Sequence, residues 1–258
     1  MTGRLHMPGF EEQCALGLCD GWESFRKFGM NPDVAVSTLE EMWPLGTVRQ
    51  LPTAAGAVTL VSSSTADDAD PAGTGAWTVE IQGLDANYLE QSETFSMDGT
   101  TPVVGSKSFL RVFRAFVTYT GSGGVNAGNI TGSIGGNNLI YIEANEGQSH
   151  LAAGTVPADK YFLINYYTVG VGRMAGNTDC QIFGQIRLYD ATATNNHQSW
   201  RTISDVWVYN GQEHTNSVSR TILPPRTDYR VAILSSATTQ AHAIVGGYLV
   251  KTDTVGRY

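Results

Sequence analysis

Charge is scarce in this 258-residue chain. Lys, Arg, Asp and Glu supply 16 % of the residues, well below the share of about 25 % usual in soluble domains. Basic residues are the scarcer half, 16 against 24 acidic, for a net charge of −8. They are scattered, which excludes the clustered cations that neutralise nucleic-acid phosphates. No run of 18 apolar residues occurs, so no transmembrane helix is expected. The opening MTGRLHMPGFEEQ lacks a basic segment followed by an apolar one, so no secretory signal is expected and the protein is read as soluble and made in the cytoplasm. Cysteine is sparse too: Cys14, Cys19 and Cys180. An odd number with one close pair is no disulfide framework, and no His pair follows at zinc-ligand spacing. Free thiols are expected.

The usual chemical signatures are also missing. There is no G-x-S-x-G elbow and no H-x-x-x-H or H-E-x-x-H pair. His6, His150, His197, His214 and His242 fall singly. The glycine loop Gly121–Gly128 lacks the Lys of a phosphate-binding loop. Asp67, Asp68 and Asp70 offer oxygens to Ca²⁺, but the EF-hand spacing is absent, and a solvated acidic turn is the preferred reading. Glu80, Glu90, Glu93 and Asp98 could meet across strands as a glycosidase pair, as could many residues on any sheet face. Tyr166, Tyr167, Trp200 and Trp207 could stack on sugar rings; core or interface packing is preferred. No catalytic, cofactor or metal site is therefore expected, and the protein is read as a non-enzyme.

What is abundant is strand and turn grammar, with 29 Gly and many Thr and Ser. The organising stretch is Thr74–Gly121. Trp77, Val79 and Ile81 alternate with polar residues, the period of a half-buried strand. Phe95 and Met97 share a parity, and Asp98-Gly99 follows as a tight hairpin turn. Phe109–Tyr119 is apolar on both faces, the mark of a strand covered on both sides. Arg111 and Arg114 interrupt it and are expected at the sheet margin in ion pairs. Further strands are expected at 47–51, 57–62, 129–134, 139–144, 160–172, 179–189, 200–209, 227–234 and 241–250. The fold class is all-β: an antiparallel β-sandwich or jelly roll with an irregular N-terminal arm.

Residues 1–46 read as that arm, 47–252 as the sandwich, and 253–258 as a tail. In the arm, Ser37–Trp43 resembles a helical turn stopped by Pro44. Asn31-Pro32-Asp33 reads as a turn. The arm's rings cannot bury one another, so the arm wraps its own sandwich or docks on a neighbour. The packing or interface candidates are Trp22, Phe25, Phe28, Trp43, Trp77, Phe109, Phe113 and Trp207.

Four segments carry a resemblance: GTGAWTVEIQGLDANY (73–88), ETFSMDGTT (93–101), FLR (109–111) and NAGNI (126–130). KFGMNPDV (27–34) and PPRTDYRV (224–231) add to it. Together they resemble a family of virion proteins of tailed, marine podovirus-like bacteriophages; Trp77 stands where Arg is commoner. The resemblance implies a structural component of the particle. An accessory head protein is favoured, a decoration or cement subunit bridging capsomers. It would be a homo-oligomer, a trimer favoured, whose partners are the major capsid protein or other virion proteins, with no nucleic acid, membrane or cofactor. The alternative is a tail-associated fibre, adaptor or receptor-contacting subunit.

Overall fold

A computed structural model describes residues 9–172, 179–187, 199–209, 213–216 and 221–255. The chain opens with a short helix α1 (Phe10–Ala15), a long strand β1 (Trp22–Val34) and a two-residue strand β2 (Glu40–Glu41). Seven strands follow: β3 (Gly56–Ser62), β4 (Ala76–Leu84), β5 (Glu90–Ser96), β6 (Val103–Phe109), β7 (Arg111–Thr120), β8 (Ile130–Ile134) and β9 (Asn137–Ile142). The remainder comprises β10 (Ala153–Thr155), β11 (Lys160–Val171), β12 (Asp179–Arg187), β13 (Arg201–Tyr209), β14 (Glu213–Asn216), β15 (Thr221–Leu223), β16 (Asp228–Ser235), β17 (Thr239–Lys251) and α2 (Thr252–Val255).

The fold is all-β, and every pairing between these strands is antiparallel. One sheet runs β1-β17-β11-β14, with β15 also on β11; a second runs β10-β16-β12-β13, with β2 also on β16. Their facing sides form one core, including Phe162, Val169, Ile182, Ile233, Ala243 and Leu249. With β2 and β10 counted as one strand and β14 and β15 as another, the chain switches sheets at every step but β12 to β13, an order shared with the eight-stranded jelly roll.

The other two sheets, β6-β3-β8-β9 and β5-β4-β7, form a second sandwich with its own core, including Leu60, Val79, Ile81, Phe109, Ile130 and Leu139. It is an insertion into one jelly-roll strand. β2 pairs Glu40 and Glu41 with Ile233 and Ala232, and β10 pairs Ala153–Thr155 with Arg230–Asp228 on the same strand β16. Between them the Met42 and Ala152 amides bond Val231 O and Met42 O. The chain leaves the jelly roll at Met42 and re-enters at Ala152.

A single sandwich over 47–252 is thus replaced by two. Alternation reports which residues are buried, not which core receives them. The arm reading also fails. Trp22–Val34 pairs with β17 from Trp22↔Val250 to Val34↔Thr239, so it is an outer strand of the jelly roll. Its buried positions are Lys27, Gly29, Asn31 and, past the register shift, Val34; the first three carry no apolar signal. Pro32 is accommodated at a register shift between Asn31 and Val34, as an edge strand allows. The Ser37–Trp43 helical turn is absent. Ser37 takes a positive φ of 56°, β2 follows, and Met42 and Trp43 are fully buried. Residues 47–51 form no strand; they connect the two sandwiches. Residues 253–255 of the expected tail belong to α2 (Thr252–Val255).

Within the organising stretch, Val79 and Ile81 point inward as expected. Register shifts on either side of Thr78 put Ala76 in the core and leave Trp77 half-buried. Phe95 and Met97 are both buried. Gly99 has the positive φ, 53°, of a tight turn. That turn joins two sheets rather than a hairpin, since β5 pairs with β4 and β6 with β3. A genuine hairpin forms at Gly135-Gly136, with φ of 57° and 82°, between β8 and β9.

Candidate functional site: a buried ionic seam and an exposed aromatic edge

Where the inserted sandwich meets the jelly roll, the contact is ionic. Arg111 on β7 grips Asp228 on β16 with two bonds, Nε to Oδ1 at 2.8 Å and Nη2 to Oδ2 at 3.1 Å. Arg187 on β12 reaches Oδ2 at 2.7 Å, and the Thr155 hydroxyl donates to Oδ1 at 2.6 Å. The remaining nitrogen of Arg111 donates to the carbonyls of Pro52 and Leu110. Burial alone would raise the pKa of Asp228; the Arg111 charge and hydrogen bonds, then Arg187 and Thr155, hold it below the ordinary carboxylate value.

Beside it, Glu41 at the insertion point accepts from Arg49 Nε at 2.7 Å and from Arg230 Nη1 at 3.1 Å. The indole of Trp200 lies 4.0 Å from the Arg230 guanidinium and 5.0 Å from that of Arg187. Lys160 on β11 bridges Glu23 of the jelly roll and Glu90 of the insertion. Lys27 has no carboxylate among its hydrogen-bond partners in the described residues. It donates to the Phe113 carbonyl across the junction and lies 5.4 Å from that ring's centroid. Burial first, then the charges of Arg49 and Arg114, lower its pKa to about 7.

Asp228 and Glu41 are saturated by guanidiniums, which suits them to holding two bodies together. The other acidic candidates are likewise dispersed. Glu90 serves Lys160, Glu93 accepts from the Ser106 hydroxyl at 2.7 Å, and Glu80 accepts from Gln82 at 2.9 Å. Asp67 is not in a solvated turn. It is fully buried, and its oxygens accept from Ser62 Oγ and the amides of Ala76, Ala127 and Gly128 at 2.6–2.9 Å. Its lone pairs organise three loops, a role that sequence spacing did not indicate. No cluster of three metal-ligating side chains occurs among the described residues.

The packing candidates separate into three groups. Trp43 and Phe109 are fully buried in the inserted core, and Trp43 Nε1 donates to Thr47 O at 2.7 Å. Phe25 packs on Phe162 in the jelly-roll core. Phe28 meets His150 at 5.5 Å, and Phe113 packs beside Leu84 and Tyr88; Trp22 stacks on Phe10 and Tyr248 outside the main cores. Trp77 caps its loop through Gly73 O. Trp207 stands apart. It is 50 % exposed, with Tyr209 at 52 % on the same face of β13; Ile203, 42 % exposed, falls at a register shift and borders the cavity between the sheets. Among the described residues β13 pairs only with β12, so it ends its sheet. Of the other aromatics offered to a sugar, Tyr167 is buried and Trp200 is held by the two arginines.

Between the jelly-roll sheets lies an apolar cavity of about 50 Å³ bordered by Ile164, Val169, Ile182 and Val231, far below the size of a cofactor pocket. Sequence reasoning missed the seam. Its trace was visible in strands where charges interrupt apolar residues, Asp228 and Arg230 in DYRVAILS and Arg111 in FLRVFRAFV.

Together these features define an all-β protein of two sandwiches, a jelly roll carrying an inserted β-domain clamped by buried ion pairs. No family model and no curated protein matches the chain. One solved structure, that of infectious bursal disease virus (Gx strain), is similar at 10 % identity, over 93 % of this chain and 75 % of that one, with a TM-score of 0.28. At that score the likeness carries no information about function.

Proposed function

We propose that this protein is a structural subunit of a tailed-phage virion, an accessory head protein that decorates the capsid and bridges capsomers. The observation that carries the reading is the pair Trp207 and Tyr209, half-exposed on the end strand of a jelly roll. Aromatic side chains on an unpaired strand face suit contact with another protein. The sequence resemblance over 73–130 supplies the phage assignment. Jelly rolls also recur in lectins and cupins, and fold alone assigns no role; the saturated carboxylates favour assembly over catalysis. Such a subunit works by repetition. A standard interface buries about 1,600 Å², and a homo-oligomer, a trimer favoured, multiplies weak contacts over a closed shell.

Quantitative mass spectrometry of purified particles, normalised to the major capsid protein, tests this. A decoration subunit is present at a stoichiometry comparable to the capsid protein. A copy number of a few per particle places it in the tail instead, and absence from particles ends the virion reading.

A further inference from the structure

Outside both main cores, α1 lies on the outer face of the jelly-roll sheet. Phe10 packs edge-on against Trp22 and Tyr248, with ring centroids 5.1 and 5.7 Å away. Beneath this ring contact sits a small cluster of Cys14, Tyr248 and Val250, with Cys19, Trp22 and Leu163 packed against it. Cys14 is in the last turn of α1 and is buried; Cys19 is half-buried, in the turn that leads into β1. The Cys19 thiol points back at the helix, donating to Phe10 O at 3.9 Å, and the two thiols interact directly. The connection is tightened by bonds from the Gly17 and Leu18 amides to Cys14 O and Gln13 O. Cys180, the third thiol, is buried on β12 beside Ser235.

We propose that Cys14 and Cys19 form a reversible disulfide that fastens the last turn of α1 to the turn leading into the first strand of the jelly roll when the protein meets an oxidising medium. The chemistry is thiol–disulfide exchange with a small-molecule disulfide. The more exposed Cys19 thiolate attacks one sulfur of the reagent, its proton passing to water, and expels one thiolate. The Cys14 thiolate then attacks the Cys19 sulfur of the mixed disulfide and expels the second. One reagent disulfide is reduced to two thiols as two protein thiols become one disulfide.

In the reduced protein burial, then the hydrogen bond and charge of Cys19, raise Cys14 to about 12, so Cys19 is the thiol that attacks first. The lock does not depend on the virion reading, since it rests on this helix and strand alone. A reducing cytoplasm keeps it open and an oxidising exterior closes it.

The test uses the full chain, glutathione disulfide and tryptic mapping. Leu5–Arg26 contains no internal Lys or Arg, so both cysteines fall in one peptide. The expected product is that peptide lacking two hydrogens, formed on the order of tenfold faster in the native protein than in guanidinium, because the fold supplies effective concentration. Cys14→Ala should instead retain a glutathione adduct on Cys19. Equal rates in native and unfolded protein, or a stable adduct on wild-type Cys19, would overturn the proposal.

Discussion

Arg111 and Asp228 are 117 residues apart in sequence, and their side chains meet at 2.8 Å with both groups buried. One belongs to the inserted sandwich and the other to the jelly roll. This pair is the centre of the junction.

Removing one partner of a buried pair leaves the other charge uncompensated, which costs about 3–5 kcal/mol. Arg187 and Thr155 still reach Asp228, so Arg111→Met should fall near the lower end, about 3 kcal/mol in urea unfolding. Arg114 is exposed on the same strand. Arg114→Met should shift stability by no more than about 0.5 kcal/mol. Equal losses would show that the junction is not held by this pair.

Lys27 gives a pH signature. Its folded pKa is lowered to about 7, through burial and the nearby Arg49 and Arg114, against about 10.4 unfolded. Between those values the unfolded chain binds the extra proton, so stability rises with pH from 7 to about 10, with a limiting slope of about 1.4 kcal/mol per pH unit. Below pH 7 the penalty is present in full. Lys27→Met should flatten that rise in a series of thermal melts; an unchanged slope would assign the rise to other groups.

Gly29 lies over the insertion point. A Cβ there would stand 2.2 Å from both Ala152 N and Met42 O, the two atoms that bond each other where the chain leaves and re-enters the jelly roll. Both are backbone and cannot swing aside. Gly29→Ala should cost about 3 kcal/mol or more, as overpacking does at its upper range, whereas Gly9→Ala meets open space and should leave the denaturant midpoint in place. A Gly29→Ala protein as stable as the parent would contradict this packing.

Trp207 separates folding from assembly. Its side chain is half-exposed, so Trp207→Ser should change the thermal midpoint by a degree or two, corresponding to about 0.5 kcal/mol. Loss of oligomer in analytical ultracentrifugation, or of incorporation into particles, with the fold intact is the expected result. Normal assembly would remove β13 from the contact surface.

The legibility of this fold was uneven for physical reasons. Strands with apolar alternation, such as β3, β12 and β17, were readable because period-two burial leaves a trace in sequence. β1 was not, because Lys27, Gly29 and Asn31 occupy its buried face: one is held by a carbonyl, one is small for a backbone approach, and one is bonded to Glu40 at 2.7 Å. The exposed face of β13 was readable at Trp207 and Tyr209, whose parity is opposite that of Val206 and Val208; Ile203, expected on that face, falls at a register shift and borders the cavity between the sheets. The seam was not, because its partners are joined only by the tertiary fold. Arg111 was expected at a margin and is 3 % exposed; nothing local announces a carboxylate on a strand near the other end of the chain.

The split strand also orders the events of synthesis. Residues 56–142 complete their own two-sheet pairing long before β17 leaves the ribosome, while β1 waits for β17 as its partner over its whole length. The inserted sandwich can condense as a local unit and shorten the effective loop between β2 and β10. The enclosing jelly roll, whose closure joins the first strand to the last, is then the slow, concluding step.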